Sequence, residues 1–166
     1  MHGYGLGHNA YQVKIKLIQV GKTKDKWLQE GIDEYLKRLA AFTKLEVVEI
    51  ADESLKYNAN PEAVKEKEAQ NIFKHLKQDD YLILLDERGQ HKTSLEFSGF
   101  LVSILDKQDP VFLIGGVFGV APSVFDRADS CLALSRFTFT HRMARLIICE
   151  QIYRAFMIKA NRAYHI

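Results

Sequence analysis

Gly115, Gly116 and Gly119 fall within five residues, directly after the apolar run Phe112-Leu113-Ile114. A strand that breaks into glycines leaves its backbone bare, because a chain without Cβ atoms reaches positive φ and lets a ligand approach the main chain. A second transition follows fifteen residues after Gly119, in Leu134-Ser135-Arg136-Phe137-Thr138-Phe139-Thr140-His141. From there to the end, six cations (Arg136, Arg142, Arg145, Arg154, Lys159 and Arg162) stand against one acid, Glu150, and the chain closes on Tyr164-His165-Ile166. A basic stretch carrying Tyr and His beside a bare turn points to a phosphate-bearing partner and a small ligand. The GGxxG spacing is neither the dinucleotide GxGxxG nor a GxxxxGK[ST] phosphate loop, which demotes NAD and nucleoside triphosphates as that ligand.

The elements that must hold these residues are strands alternating with helices. Residues 13–20 alternate apolar and basic and end at Gly21, as a strand does. Leu28, Ile32, Tyr35, Leu36 and Leu39 recur at helical spacing. Residues 45–50 predict a second strand, and 51–59 a polar loop with no special chemistry. Asn60-Pro61 is a plausible N-cap and first-turn proline for a helix through about Lys77, with Val64, Ile72, Phe73 and Leu76 inward and its Lys and Glu on a solvated face. Residues 81–85 form a short apolar strand, after which Asp86-Glu87-Arg88-Gly89 is expected to turn the chain. Thr93 and Glu96 have capping-box spacing for a helix burying Phe97, Phe100, Leu101, Ile104 and Leu105. Residues 111–114 and 131–134 supply further strands around a short helix at 122–126, and a long helix runs from Arg142 to about Ala160. This alternation predicts a mainly parallel sheet in a single α/β domain.

The chain has 166 residues, 47% hydrophobic, with a formal charge of +2. That length suits one domain with its own core, and so small a charge confines any RNA site to a local patch. Cys131 and Cys149 lie in apolar runs without C-x-x-C spacing, so they read as reduced core residues, with no disulfide or metal site. No run approaches the roughly 20 apolar residues of a membrane span, and no signal peptide is evident; a cytoplasmic protein is expected. Residues 1–12, with three glycines and no periodicity, read as a flexible N-terminal extension to a domain over 13–166.

Four blocks in order carry a resemblance: Phe112 to Gly119, Leu134 to Arg145, Glu150 to Ile158, and Tyr164-His165. Together they resemble the RlmH (YbeA) family of SPOUT-class methyltransferases, over nearly the whole chain. The resemblance implies an S-adenosylmethionine-dependent enzyme that methylates N3 of pseudouridine 1915 in 23S ribosomal RNA of the assembled ribosome. Periodicity alone predicts an ordinary open sheet, true knots being nearly absent from proteins; the resemblance implies instead a C-terminal trefoil knot. It places the cofactor on Leu85, Ile114, Gly115, Gly116, Gly119, Leu134, Ser135, Arg136, Phe137, Thr138 and Phe139. Glycine that simply turns the chain, and Ser135 and Thr138 that simply cap it, are the plainer readings of the same residues.

For the reaction, the resemblance brings Glu150, Arg154, Tyr164 and His165 into play. Glu150, four residues before Arg154, forms a plain surface ion pair with it by default and in this setting is expected to orient it; Arg154 is expected to stabilise charge developing on the base carbonyls, Tyr164 to stack on or position the base, and His165 to take the proton directly or through water. His141 stands evenly between a structural and a catalytic part. Arg142, Arg145 and Arg154 are candidates for RNA phosphate, a solvated surface being the plainer reading of Arg142 and Arg145. No metal is needed. The helix over 143–158 is apolar nearly all round, which fits a core helix or a homodimer interface, and the resemblance favours the dimer. Thr140, Ala163 and Ile166 depart from the common family pattern. The alternatives are a SPOUT methyltransferase acting on another RNA such as tRNA, and a non-catalytic RNA-binding or ribosome-assembly factor that keeps the fold.

Overall fold

The computed structural model describes residues 14–56, 58–162 and 164. The extension at 1–12, and Ala163, His165 and Ile166, lie outside the described residues. In chain order the elements are β1 (Lys14–Val20), α1 (Lys26–Leu39), β2 (Lys44–Ile50), a 3-10 turn (Glu53–Leu55), α2 (Pro61–Phe73), β3 (Tyr81–His91), α3 (Ser94–Leu105), β4 (Pro110–Ile114), α4 (Pro122–Arg127), β5 (Ser130–Ala133) and α5 (His141–Lys159). The five strands pair in the order β2-β1-β4-β3-β5, and every pair is parallel.

Because side chains alternate across a strand, each central strand feeds two cores. Ile15, Leu17, Ile83, Phe112 and Ile114 point to one face, where they meet α1, α3 and α5. Ile18, Val20, Leu82, Leu84, Val111 and Leu113 point to the other, against α2 and α4. Covering on both faces is why these strands are continuously apolar. Caps read from sequence form as expected: Asn60 accepts from Glu62 and Ala63 at the start of α2, and Thr93 and Glu96 close a capping box at α3.

Three expectations change. Asp86 to Gly89 do not end β3; the strand runs on to His91 with a bulge, pairing Leu85 and then Gln90 with the same Leu132 of β5. A Cβ at Gly89 would sit 2.6 Å from the Leu132 nitrogen, so the bulge closes only over a glycine. Gly89→Ala should cost about 1–3 kcal/mol, as overpacking does, read as a lowered urea midpoint.

Helix α2 stops at Phe73, which is exposed; His75 and Leu76 then donate their N–H groups to the Ile72 and Phe73 carbonyls in a tighter turn, and Asp80 accepts from the Lys77 N–H at 2.7 Å where the chain bends into β3. One acid on its supposed solvated face, Glu68, is buried. Most of α5 is covered within its own chain by α1 and α3. Ile148, Cys149, Ile152 and Phe156 are buried, while Leu146, Ile147 and Tyr153 stay partly open.

Candidate active site

The carboxyl ends of β3, β4 and β5 converge on a cavity of about 490 Å³. Its walls come from the three segments that leave those strands and from the first turn of α5. Leu84 to Arg88 bulge from β3, Ile114, Gly115, Gly119 and Val120 bracket the glycine turn after β4, and Leu134, Ser135, Phe137, Thr138 and Phe139 follow β5; His141 and Ala144 close it. Of the residues expected at the cofactor, nine therefore line the cavity: Leu85, Ile114, Gly115, Gly119, Leu134, Ser135, Phe137, Thr138 and Phe139. Gly116 instead faces a neighbouring cavity, and the Arg136 side chain, on the exposed strap, is in neither.

The turn is tight for local reasons. Gly119 has φ of 80° and donates its N–H to the Gly116 carbonyl at 3.0 Å. A Cβ at Gly115 would lie 2.8 Å from Val120 Cγ1. The strap after β5 is held by its own hydroxyls: Ser135 Oγ accepts from the Phe137 N–H, and Thr138 Oγ1 donates to Glu87 Oε2 at 3.1 Å. Thr140 N-caps α5 by accepting from the Met143 N–H. Asp86 to Arg88 have the composition of a turn, yet they wall the cavity, and sequence carries no sign of it because a bulge has no periodic signature. Within the bulge, the bidentate hydrogen bond from Arg88 keeps the Asp86 carboxyl below its ordinary range.

The neighbouring cavity, about 1080 Å³, shares Gly115 and His141 with the first. Lys22, Lys24, Trp27 and Arg142 are on its border. Arg142 is exposed and pairs with Asp25 at 3.0 Å. Arg145, expected to meet phosphate, is only 4% exposed. It donates to the Val20 carbonyl at 2.7 Å and to Thr23 Oγ1 at 2.9 Å, and so pins the loop after β1 to α5. Burial lowers the affinity of its guanidinium for the proton. Arg145→Met should leave the Val20 carbonyl without that partner and cost about 2 kcal/mol, checked by chemical denaturation.

Glu150, Arg154 and Tyr164 form a second constellation further along α5. Glu150 Oε1 accepts from Arg154 Nε at 3.0 Å, from Arg154 Nη2 at 2.6 Å and from the Tyr164 hydroxyl at 3.3 Å. The Arg154 guanidinium lies 4.8 Å from the Tyr164 ring centroid. That ring meets Tyr153 edge-on at 4.9 Å. Burial, followed by hydrogen bonding with Tyr35 and the Glu150 charge, pushes the Tyr164 hydroxyl above its ordinary range, so it stays protonated and is no base at neutral pH. Arg154 lies ten residues beyond Ala144 in the same helix, about 15 Å along its axis. One chain thus keeps the cavity and this constellation apart.

Among the described residues no group of His, Cys, Asp and Glu is placed to hold a metal ion, and no helix is long and apolar enough to cross a membrane.

A crevice of this size at the carboxyl ends of parallel strands, floored by a bare turn, defines an α/β domain built to receive a small molecule. Over residues 13–165 the chain matches the family described as predicted SPOUT methyltransferase. It is 44% identical over 155 residues to the ribosomal RNA large subunit methyltransferase H of Geobacter metallireducens. It is 42% identical over 158 residues to the protein of that name from Desulforamulus reducens. In both cases 92% of this chain and 99% of the relative are covered. The chain belongs to the SPOUT methyltransferase family.

Proposed function

We propose that this protein is an S-adenosylmethionine-dependent methyltransferase of large-subunit ribosomal RNA, acting at N3 of a pseudouridine in the assembled ribosome, in the cytoplasm, as a homodimer. The observation that carries the reading is the cavity at the ends of β3, β4 and β5, lined by the bare turn and the Leu134 to Phe139 strap in a chain of this family. The relatives' names supply the RNA. A C-terminal trefoil knot goes with the same reading.

The residues present suit the cofactor. The apolar walls at Leu85, Ile114, Leu134 and Phe139 fit an adenine, and at Gly115 and Gly119 the main chain meets the cavity with no side chain in between. When bound, S-adenosylmethionine supplies an electrophilic methyl group with a neutral leaving group. The protein's own task is to align the base and receive the imide proton lost from N3. Arg154, oriented by Glu150, stabilises negative charge on the base carbonyls; Tyr164 positions the base as a stack or donor; His165 accepts the proton. Because Arg154 and Tyr164 lie far along α5 from their own chain's cavity, a second subunit delivers them. His141, shared by both cavities, and Arg142 face the incoming RNA. Recognition rests on the shape and phosphates of a folded target.

The test is incubation with methyl-labelled S-adenosylmethionine and ribosomes lacking the N3 methyl group, beside separated large subunits and pseudouridine-free ribosomes. Label on intact, pseudouridine-containing ribosomes alone is expected. Cofactor binding with no label on any ribosome would redirect the search to tRNA and other RNAs.

A further inference from the structure

Glu68 is an acid where an α2 surface residue was expected. It is 3% exposed, while its neighbours Lys67 and Glu66 face water. Its Oε1 accepts the Glu53 N–H at 3.2 Å. A Cβ placed on Gly116 would lie 2.9 Å from Glu68 Oε2, 3.3 Å from Oε1 and 3.1 Å from Val20 Cγ1. The carboxyl therefore occupies the space a side chain at 116 would need. In one place it touches the 3-10 turn after β2 and the glycine turn after β4, beside the last residue of β1. Gly116 is also the residue whose carbonyl closes the glycine turn onto Gly119.

We propose that Glu68 is a positioning residue for the cofactor site: its neutral carboxyl, wedged under Gly116 and tied to Glu53, holds the Gly115–Gly119 turn in the shape that receives the cofactor, and loss of its proton releases that turn. The inference rests on reading the adjoining cavity as the S-adenosylmethionine site.

The surroundings favour the neutral form. Asp52 and Glu53 approach from the 3-10 turn, and their charges oppose an ionised Glu68. Lys56 is engaged by Glu53 and Lys65 by Glu62. From α5, Arg145 is committed to Val20 and Thr23. The segment from Gly115 to Val120 carries no titratable group. Burial first, and then the Asp52 and Glu53 charges, push the Glu68 carboxyl up to about 7, against the hydrogen bond from Glu53. With the folded value above the unfolded one, the folded chain holds the extra proton. The stability linked to Glu68 is therefore full below the ordinary carboxyl range and is lost as pH rises through about 7.

For a group titrating at about 7, the neutral fraction falls about tenfold between pH 6 and pH 8. Calorimetric titration of the full chain with S-adenosylmethionine at those two pH values should show the wild type losing about tenfold more affinity than Glu68→Gln. The glutamine protein should match the wild type at pH 6. The ligand's own amino group and His141 are common to both proteins and cancel in the comparison. Equal pH dependence in the two proteins overturns the inference. No binding by the wild type at either pH overturns the cofactor reading itself.

A second measurement needs no variant. By reciprocity of linkage, the side-chain carboxyl signal of Glu68 in the wild-type protein, followed by 13C NMR, should titrate with a midpoint at least about two pH units higher when ligand saturates the site, the shift that a tenfold loss of affinity between pH 6 and pH 8 requires. An unmoved midpoint overturns the inference even where Glu68→Gln does not fold.

Discussion

Gly115→Val is expected to weaken S-adenosylmethionine binding at least a hundredfold, which corresponds to about 3 kcal/mol. The first atom of the new side chain already lies 2.8 Å from Val120 Cγ1 and 3.4 Å from the Gly119 carbonyl carbon. Valine adds two methyl groups to that conflict, and the turn must open or the cavity must fill. Isothermal titration measures the loss, and circular dichroism shows that the sheet persists. Gly99→Ala supplies the contrast, because a Cβ at Gly99, inside α3, meets nothing within 4 Å. There the substitution should leave binding unchanged and add about 0.4–1 kcal/mol of stability. Undiminished affinity in the valine protein would detach the glycine turn from cofactor binding.

Arg154→Ala should lower methyl transfer about 10²–10³-fold, the range for removing one donor that stabilises developing charge, with cofactor affinity within a factor of two. The guanidinium is held by Glu150 and set against Tyr164, well away from its own chain's cavity. If the working site combines the cavity of one subunit with Arg154 of another, the two defects complement each other. In a mixed dimer of Gly115→Val and Arg154→Ala chains, the intact cavity of the second faces the intact arginine of the first. Random pairing in a symmetric dimer then restores about one quarter of the sites, although each variant alone stays far below the wild type. Activity that stays at the level of the single variants after mixing would place the cavity and Arg154 in the same chain's site, or separate Arg154 from the chemistry.

The parallel α/β sheet was legible from alternation and spacing, because two-sided burial forces apolar strands and one-sided burial forces striped helices. Caps at Asn60 and Thr93 were legible too, since a cap is a local device. What stayed hidden was non-local. Asp86 to Gly89 carry turn composition, yet pairing with β5 recruits them into a bulged strand that walls the cavity. Glu68 and Arg145 have the composition of surface residues, and only the meeting of separate loops buries them. The glycine turn and the Leu134 to Phe139 strap stood out by residue type. Gly116 lies against Glu68, in a helix far earlier in the chain, and that contact has no local sign in the sequence.

Helix α5 imposes a constraint of phase. It starts at the cavity with His141 and Ala144, is bolted to the loop after β1 through Arg145, and carries Arg154 beyond. Each added residue in a helix turns everything after it by about 100°. A single insertion between Ile147 and Ile148 would therefore swing Glu150 and Arg154 off their face while leaving the cavity intact. Natural variation in this helix should exchange side chains freely on its open strip and leave its residue count alone.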